Sequence, residues 1–266
     1  MDLGLEGKAC VVTGASRGIG LDVAERLCAE GASVLMVARG EADLESAAAR
    51  LADCPGDAAT LALDVTEADA AERILNESSA RFGRLDVIVN NAGQAKWRSL
   101  ADIPDEDWQA AWELNVMAPM RLMRAAIPGM AGRGWGRIVN VSSTAGKRPS
   151  GHMPEYSVAK AAQLSLSKVF AEAHAGDGVL VNAVCPGPTA SEMWMEPGGL
   201  LDQSMHLSGA SSRSDALEAA GASRPIGRLA DPAEVGAVIA FLCSEAASYV
   251  SGVAWGVDGG TVQVII

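Results

Sequence analysis

Short, unbroken apolar runs rich in valine recur along the chain: ACVVTG at 9–14, SVLMVA at 33–38, ATLALDV at 59–65, LDVIVNNAG at 85–93, GRIVNVSS at 136–143 and VLVNAVCPG at 179–187. A strand wetted on one face alternates apolar and polar residues; continuous apolar runs predict strands covered on both faces. Between them lie segments of helical period, such as GIGLDVAERLCAEG and EADLESAAARLA. This alternation predicts right-handed crossovers and a parallel sheet between two helical layers. DPAEVGAVIAFLCSEA at 231–246 opens on an Asp-Pro helix start, and SGVAWGVDGG reads as a last strand and turn. With no repeat and no linker, a single domain over 1–266 accounts for the pattern. One stretch interrupts it: residues 188–224, rich in Ser, Gly and Met, sit between a strand and the next helix and are expected to form a functional loop or lid.

Charge narrows the partners. Thirty-three acidic against twenty-one basic residues give a net charge of −12, which repels phosphate backbones and anionic membranes. Neither nucleic acid nor a membrane is an expected partner. The N-terminal stretch lacks a basic leader with an apolar core, and no apolar run reaches spanning length, so the expected location is the cytoplasm. Cys10, Cys28, Cys54, Cys185 and Cys243 contain no CxxC pair, four of them sit in apolar stretches, and they read as reduced core thiols. His152, His174 and His206 have no ligand spacing, so no metal site is expected.

The first candidate chemistry lies at the first strand-to-helix turn, where Gly14, Gly18 and Gly20 occur with GxxxGxG spacing. Glycines there permit a tight turn and let backbone amides approach a pyrophosphate at the positive end of a helix. A carboxylate ending the second strand would bind the ribose 2′-hydroxyl of NAD; the strand ends instead in Ala38 and Arg39, with Arg17 in the Gly-rich turn on the same side. Two guanidinium groups suit a 2′-phosphate, which favours NADP(H) over NAD(H). The competing reading is two solvated surface arginines.

Taken together, TGASRGIG at 13–20, Asp64-Val65 after the third strand, NNAG at 90–93, Asn115 in WELNV, Ser143, YSVAK at 156–160, PG at 186–187 and the VDGG ending resemble the short-chain dehydrogenase/reductase family over nearly the whole chain. The resemblance implies a Rossmann-type α/β fold, a doubly wound sheet of seven mainly parallel strands with helices on both faces, and hydride transfer between a nicotinamide and a carbonyl or alcohol carbon. It implies that Gly14, Ser16, Arg17, Gly18, Ile19 and Gly20 hold the cofactor's phosphates, that Asp64 and Val65 border the adenine, and that Asn91, Ala92 and Gly93 line the nucleotide cleft through their backbone. Pro186, Gly187 and Thr189 should face the nicotinamide end, with Ser191 near the diphosphate and Arg39 at the 2′-phosphate. It also implies a homotetramer, for which the apolar ending TVQVII would suit an interface.

Tyr156 and Lys160 stand four apart on one face of a helix opened by Met153 and Pro154. A phenol is a poor base near neutrality unless a cation stabilises the phenolate, and Lys160 is placed to be that cation. Tyr156 can then give a proton to a carbonyl oxygen or take one from an alcohol. Ser143 can hydrogen-bond the substrate oxygen as charge develops; the family spacing selects it over Ser142, which is expected to face the structure. In the family's pattern Asn115 holds a water linking Lys160 to solvent. The catalytic set is therefore Asn115, Ser143, Tyr156 and Lys160, with Tyr156 and Lys160 also touching the cofactor.

Gln94, Trp97, His152, Met153 and Trp194, with Ala95, Lys96, Met193, Met195 and Met205, are expected to shape a substrate pocket under a mobile lid, or to pack against the core or another subunit. Relatives that reduce carrier-bound 3-oxoacyl groups carry arginines where this chain has Asp177 and Leu180, leaving Arg133 and Arg137 as candidate contacts. With the net negative charge, this ranks a free, small, largely apolar ketone or secondary alcohol above a carrier-bound thioester. The alternatives are a 3-oxoacyl-thioester (acyl-carrier-protein) reductase and, from another class, a noncatalytic nucleotide-binding regulator.

Overall fold

The computed structural model describes residues 2–263, apart from the side chains of 206–208. The apolar ending assigned to an interface therefore lies partly outside the described residues, as does the side chain of His206. Among the described residues, seven strands form one sheet of order β3-β2-β1-β4-β5-β6-β7, with every neighbouring pair parallel. They are β1 (Ala9–Thr13), β2 (Ser33–Ala38), β3 (Ala58–Ala62), β4 (Val87–Asn90), β5 (Gly136–Val141), β6 (Val179–Pro186) and β7 (Ala254–Val257).

Unbroken apolar runs are needed because successive side chains feed two different cores. Val12, Val34, Met36, Val87, Val89 and Val139 point into one, while Val11, Leu35, Val37, Ile88 and Ile138 point into the other. The first core is closed by α1 (Gly18–Ala29) and α11 (Pro232–Leu242), the second by α3 (Ala70–Phe82), α5 (Ala118–Gly132) and α7 (Pro154–His174). The two edges are wetter: β3 has exposed ends, and Trp255 and Gly256 of β7 are exposed. The remaining helices are α2 (Glu41–Ala49), α4 (Asp105–Trp112), α6 (Thr144–Lys147), α8 (Glu192–Met195), α9 (Leu200–Ser208) and α10 (Arg213–Ala222).

Helix starts follow local chemistry. Asp231 caps α11 by accepting from Ala233 N, and Glu234 returns a bond to the Asp231 N–H, a complete capping box ahead of Pro232. Four of the five cysteines, Cys10, Cys28, Cys185 and Cys243, are fully buried free thiols, in line with their apolar settings. The stretch 188–224 differs from the expected loop, because it folds into the three short helices α8, α9 and α10. They form around an apolar cluster of their own, built on Ala95, Trp194, Leu200, Leu201, Ala216 and Leu229.

After β3 the chain returns to place β4 beside β1, so the crossover direction reverses between these two strands. In such sheets the crevice at the carboxyl ends of the diverging strands is where ligands bind.

Candidate active site

The Gly-rich turn occupies that crevice. Gly14 has φ 66° and Gly18 φ 57°, values that disfavour any side chain. Gly20 is required for another reason: a Cβ there would lie 2.2 Å from the Gly14 carbonyl oxygen. The turn is held by Gly14 N–H donating to Val37 O at 2.8 Å. Opposite it, Thr13 Oγ1 accepts from the Asn91 and Ala92 amides at 3.0 Å each, while Asn91 Nδ2 donates to the carbonyls of Thr13 and Gly14 at 3.0 and 3.1 Å. Asn91 therefore stitches β4 to β1 with its side chain, and its contribution to the cleft is backbone. No side chain caps α1, whose first turn contains no acid, and its N-terminal amides remain suited to an anion. A glycine cradle with no room for side chains, ending in an uncapped helix N-terminus, fits a dinucleotide pyrophosphate.

The segment 188–224 begins directly on this cradle. Arg17 Nη1 donates to both carboxylate oxygens of Glu196 at 2.9 Å. Glu192 Oε2 is buried without a hydrogen-bond partner and lies 3.1 Å from where a Gly18 Cβ would be; Ser191 Cβ is 3.2 Å from the same point. Farther along the strand ends, Arg39 is exposed at the end of β2. Burial alone would raise the Asp64 carboxyl, yet the Thr66 amide at 3.0 Å, its hydroxyl at 2.7 Å and the charge of Arg39 together hold it below the usual carboxylate range. Val65 lies beside Asp64 against the second core. At the opposite end of the cleft, β6 runs out at Pro186, Gly187 packs against the Asp258 backbone, and buried Thr189 donates its hydroxyl to Gly187 O at 3.0 Å.

The acid/base candidates converge at the end of β5. Ser142 Oγ donates to the Lys160 carbonyl at 3.0 Å and is structural, as read from the sequence. Ser143 caps α6, accepting from Ala145 N at 3.1 Å, and is hydrogen-bonded to Tyr156. Burial pushes the Tyr156 phenol up to about 12, opposed in part by that bond to Ser143. Burial drives Lys160 the other way, down to about 7. Its ammonium lies 5.6 Å from the Tyr156 ring centroid and donates to Val141 O at 2.7 Å and to Gln163 Oε1 at 3.2 Å.

Asn115 is also present, in a form the sequence did not reveal. The rod formed by α4 and α5 is interrupted by one π-helical turn, Glu113–Met117, the kind of bulge that recurs at functional sites. Asn115 sits in it fully buried, with Nδ2 donating to Ala111 O at 2.8 Å and Oδ1 unpartnered. The point where a Gly93 Cβ would stand is 3.7 Å from Asn115 Oδ1 and 3.7 Å from Lys160 Nζ. The lysine and an orphan acceptor thus flank one small space, suited to a bridging water.

At the substrate end, Trp97 stacks on His152 with ring centroids 5.1 Å apart and planes 7° from parallel. Its backbone N–H is held by Gln203 Oε1 at 2.9 Å. Trp97, Met153, Tyr156, Met195 and Met205 all pack on the cluster around Trp194, so the helices of 188–224 and Tyr156 share one apolar surface. Gln94 is exposed and takes no part in that cluster. The two arginines considered for a carrier protein are committed to their own chain. Arg137 is buried and pairs with Glu245 at 3.1 Å; Arg133 reaches Leu85 O and Asp86. Sequence reasoning missed Gln163, Gln203, Glu192 and Glu196. The last pairs with a residue 179 positions away, which no local pattern signals.

A parallel, doubly wound α/β sheet with a glycine cradle at its switch point and a Ser–Tyr–Lys set beside it defines a dinucleotide-binding oxidoreductase fold. The family described as enoyl-(acyl carrier protein) reductase matches residues 14–262, and the chain belongs to the short-chain dehydrogenase/reductase family of oxidoreductases acting on CH–OH and C=O groups. It is 36% identical to the 3-oxoacyl-(acyl-carrier-protein) reductase of Vibrio cholerae over 98% of this chain and 100% of that one. It is 34% identical to D-beta-hydroxybutyrate dehydrogenase of Cupriavidus necator, over 97% and 99%. The crystal structure of L-sorbose reductase from Gluconobacter frateurii complexed with NADPH and L-sorbose superposes with a TM-score of 0.92 at 35% identity, covering 100% of both chains.

Proposed function

We propose that the chain is an NADP(H)-dependent oxidoreductase interconverting a small carbonyl compound and its secondary alcohol in a single domain. The observation that carries this reading is the meeting of Ser143, Tyr156 and Lys160 at the end of β5, beside the glycine cradle. The nicotinamide, when bound, supplies or accepts the hydride. Gly14, Ser16, Arg17, Gly18, Ile19 and Gly20 hold the phosphates, Asp64 and Val65 flank the adenine, and the backbone of Asn91–Gly93 with Pro186, Gly187, Thr189 and Ser191 borders the rest of the cleft. Ser143 directs its hydroxyl at the substrate oxygen, and the Tyr156 phenol gives that oxygen its proton in reduction. Lys160 supplies the positive charge that makes a phenolate accessible, and Asn115 holds a water through which its proton is restored.

Substrate selection is assigned to the lid surface formed by Trp97, His152, Met153 and Trp194, with Gln94 at its exposed rim. Its apolar character and the engagement of Arg133 and Arg137 support a free ketone over a carrier-bound thioester. The 3-oxoacyl-thioester reductase reading is favoured by a different observation, the identity to reductases of that activity. NADPH oxidation measured against a panel of free ketones and against free and carrier-bound acetoacetyl thioesters separates the two; turnover confined to carrier-bound substrate overturns the first. We further propose a cytoplasmic homotetramer. Its support is that no described helix is long and apolar enough to cross a membrane, and that α4 and α7 expose Trp112, Val158 and Val169 while the β7 edge exposes Tyr249 and Trp255.

Two tests address the cofactor. Arg39→Ala removes a charge-assisted contact to the 2′-phosphate, worth about 1.5–3 kcal/mol. Fluorescence titration should show NADPH affinity falling about 10- to 100-fold with NADH affinity unchanged; equal losses for both would remove Arg39 from that role. Glu196→Ala frees Arg17 from an exposed ion pair, a class worth about 0.2–1 kcal/mol. NADPH binding should tighten by about two- to fivefold at low salt, and unchanged affinity would mean that Glu196 does not compete for Arg17.

A further inference from the structure

We infer that Gln163 is a positioning residue for the proton-transfer centre, holding Lys160 in its charged form and aiming its remaining N–H at the catalytic space. The inference rests on the assignment of Tyr156 and Lys160 as the acid/base pair. An ammonium carries three donors. Two are accounted for by acceptors of this chain, Val141 O at 2.7 Å and Gln163 Oε1 at 3.2 Å. The third is left for the side of Gly93, where the position a Cβ would take lies 3.7 Å from Lys160 Nζ and 3.7 Å from Asn115 Oδ1. The backbone carbonyl of β5 is fixed by the sheet, so the glutamine is the side-chain member of this tripod.

Gln163 is itself immobilised. It is buried one turn after Lys160 on α7, and its backbone carbonyl accepts from Ser167 Oγ at 2.7 Å. Ser167 Oγ accepts from Asn140 Nδ2 at 2.8 Å, and Asn140 Oδ1 accepts from Asn90 Nδ2 at 2.8 Å. A buried polar chain therefore ties the ends of β4 and β5 to the turn of α7 that carries Gln163. An apolar residue at 163 would satisfy burial equally well and needs no such anchoring. The physical consequence concerns protonation. Burial favours the neutral amine of Lys160, and a neutral acceptor 3.2 Å from Nζ favours the cation without cancelling its charge. The groups facing Lys160 across the site are the Tyr156 phenol on its own helix, the Asn115 amide from the π turn and the buried Cys185 thiol on β6, which burial keeps protonated, pushed up to about 11 against the opposing charges of Lys147 and Lys160. None is an anion at neutral pH, so the polar acceptors decide how much cation is present.

The test is the pH profile of alcohol oxidation by the NADP⁺-loaded enzyme, where the rate rises as Tyr156 ionises. Q163M, near in volume, and Q163N, which keeps an amide one methylene too short to reach Nζ, should each move the midpoint up by about one pH unit. That equals a tenfold loss of kcat/KM at fixed pH below the midpoint. S167A, which removes an anchor of the α7 backbone and leaves the Gln163 amide in place, should lower the melting temperature and move the midpoint by much less than either Q163 variant. A wild-type midpoint in either folded Q163 variant overturns the inference, even if its stability or maximal rate falls. The underlying assignment fails separately, through undiminished turnover in a Tyr156 variant.

Discussion

Replacing Tyr156 by Phe should lower kcat for ketone reduction by about 10²- to 10⁴-fold, the range for removing a general acid, while NADPH affinity stays within about twofold. The ring packs with Met153 and the Trp194 cluster under the lid, and phenylalanine preserves that packing. What is lost is the hydroxyl and its bond to Ser143, which keeps its other partner, the Ala145 amide at 3.1 Å. Folding should therefore change by about 1 kcal/mol or less. The direction of the phenol's perturbation makes the variant informative in one sense of the reaction. Buried and pushed up to about 12, Tyr156 holds its proton through the neutral range and is a ready acid toward a carbonyl oxygen. Stopped-flow absorbance of NADPH separates the chemical step from binding. Unaltered hydride transfer would remove Tyr156 from the mechanism and assign the proton to another group.

The sheet was readable in the sequence because strands buried on both faces must be apolar at every position, and each of the six apolar runs overlaps an observed strand. Their ends were less readable. The run at 59–65 yields a strand ending at Ala62, with Asp64 turned away to bond Thr66, since a carboxylate that finds a local amide leaves the ladder. The Tyr156 and Lys160 pair could be read because four residues is one helical turn. Ser143 and Asn115 became significant only through their order along the whole chain. The π turn at Asn115 could not be read, because its extra residue alters no side-chain pattern. The helices within 188–224 are illegible for a related reason: a stretch full of Ser and Gly shows little helical period, and α8, α9 and α10 are stabilised by packing around Trp194 and Leu201 rather than by propensity. Long-range pairs such as Arg17–Glu196 and Trp97–Gln203 exist only in the folded chain, between residues far apart in sequence.

The helices of 188–224 pack on the cluster that Tyr156 shares, and the second large effect concerns the lysine beside that tyrosine. Lys160→Met keeps the length and apolar stem of the side chain and removes its charge. Alcohol oxidation at neutral pH should fall by about 10²- to 10³-fold, for a reason whose sign can be stated. Burial raises the phenol and depresses the lysine, so both perturbations oppose the charged pair that oxidation requires. The ammonium, held by Val141 O and Gln163 Oε1, offsets the cost of forming a phenolate at the 5.6 Å separation of Nζ from the ring. Without it burial acts on the phenol unopposed, a group already raised to about 12 with the lysine in place, so the residual rate should climb about tenfold per pH unit from 7 to 10, with no plateau in that window. Wild-type enzyme, in which the ammonium and the oxidised cofactor both favour the phenolate, should bend at a lower pH than the variant. Ketone reduction uses the protonated phenol and should suffer less at pH 6 than oxidation does at the same pH. Measuring kcat/KM in both directions across pH 6–10 checks this asymmetry. A uniform loss in both directions, with the wild-type profile retained, would mean that Lys160 only positions the cofactor and does not tune Tyr156.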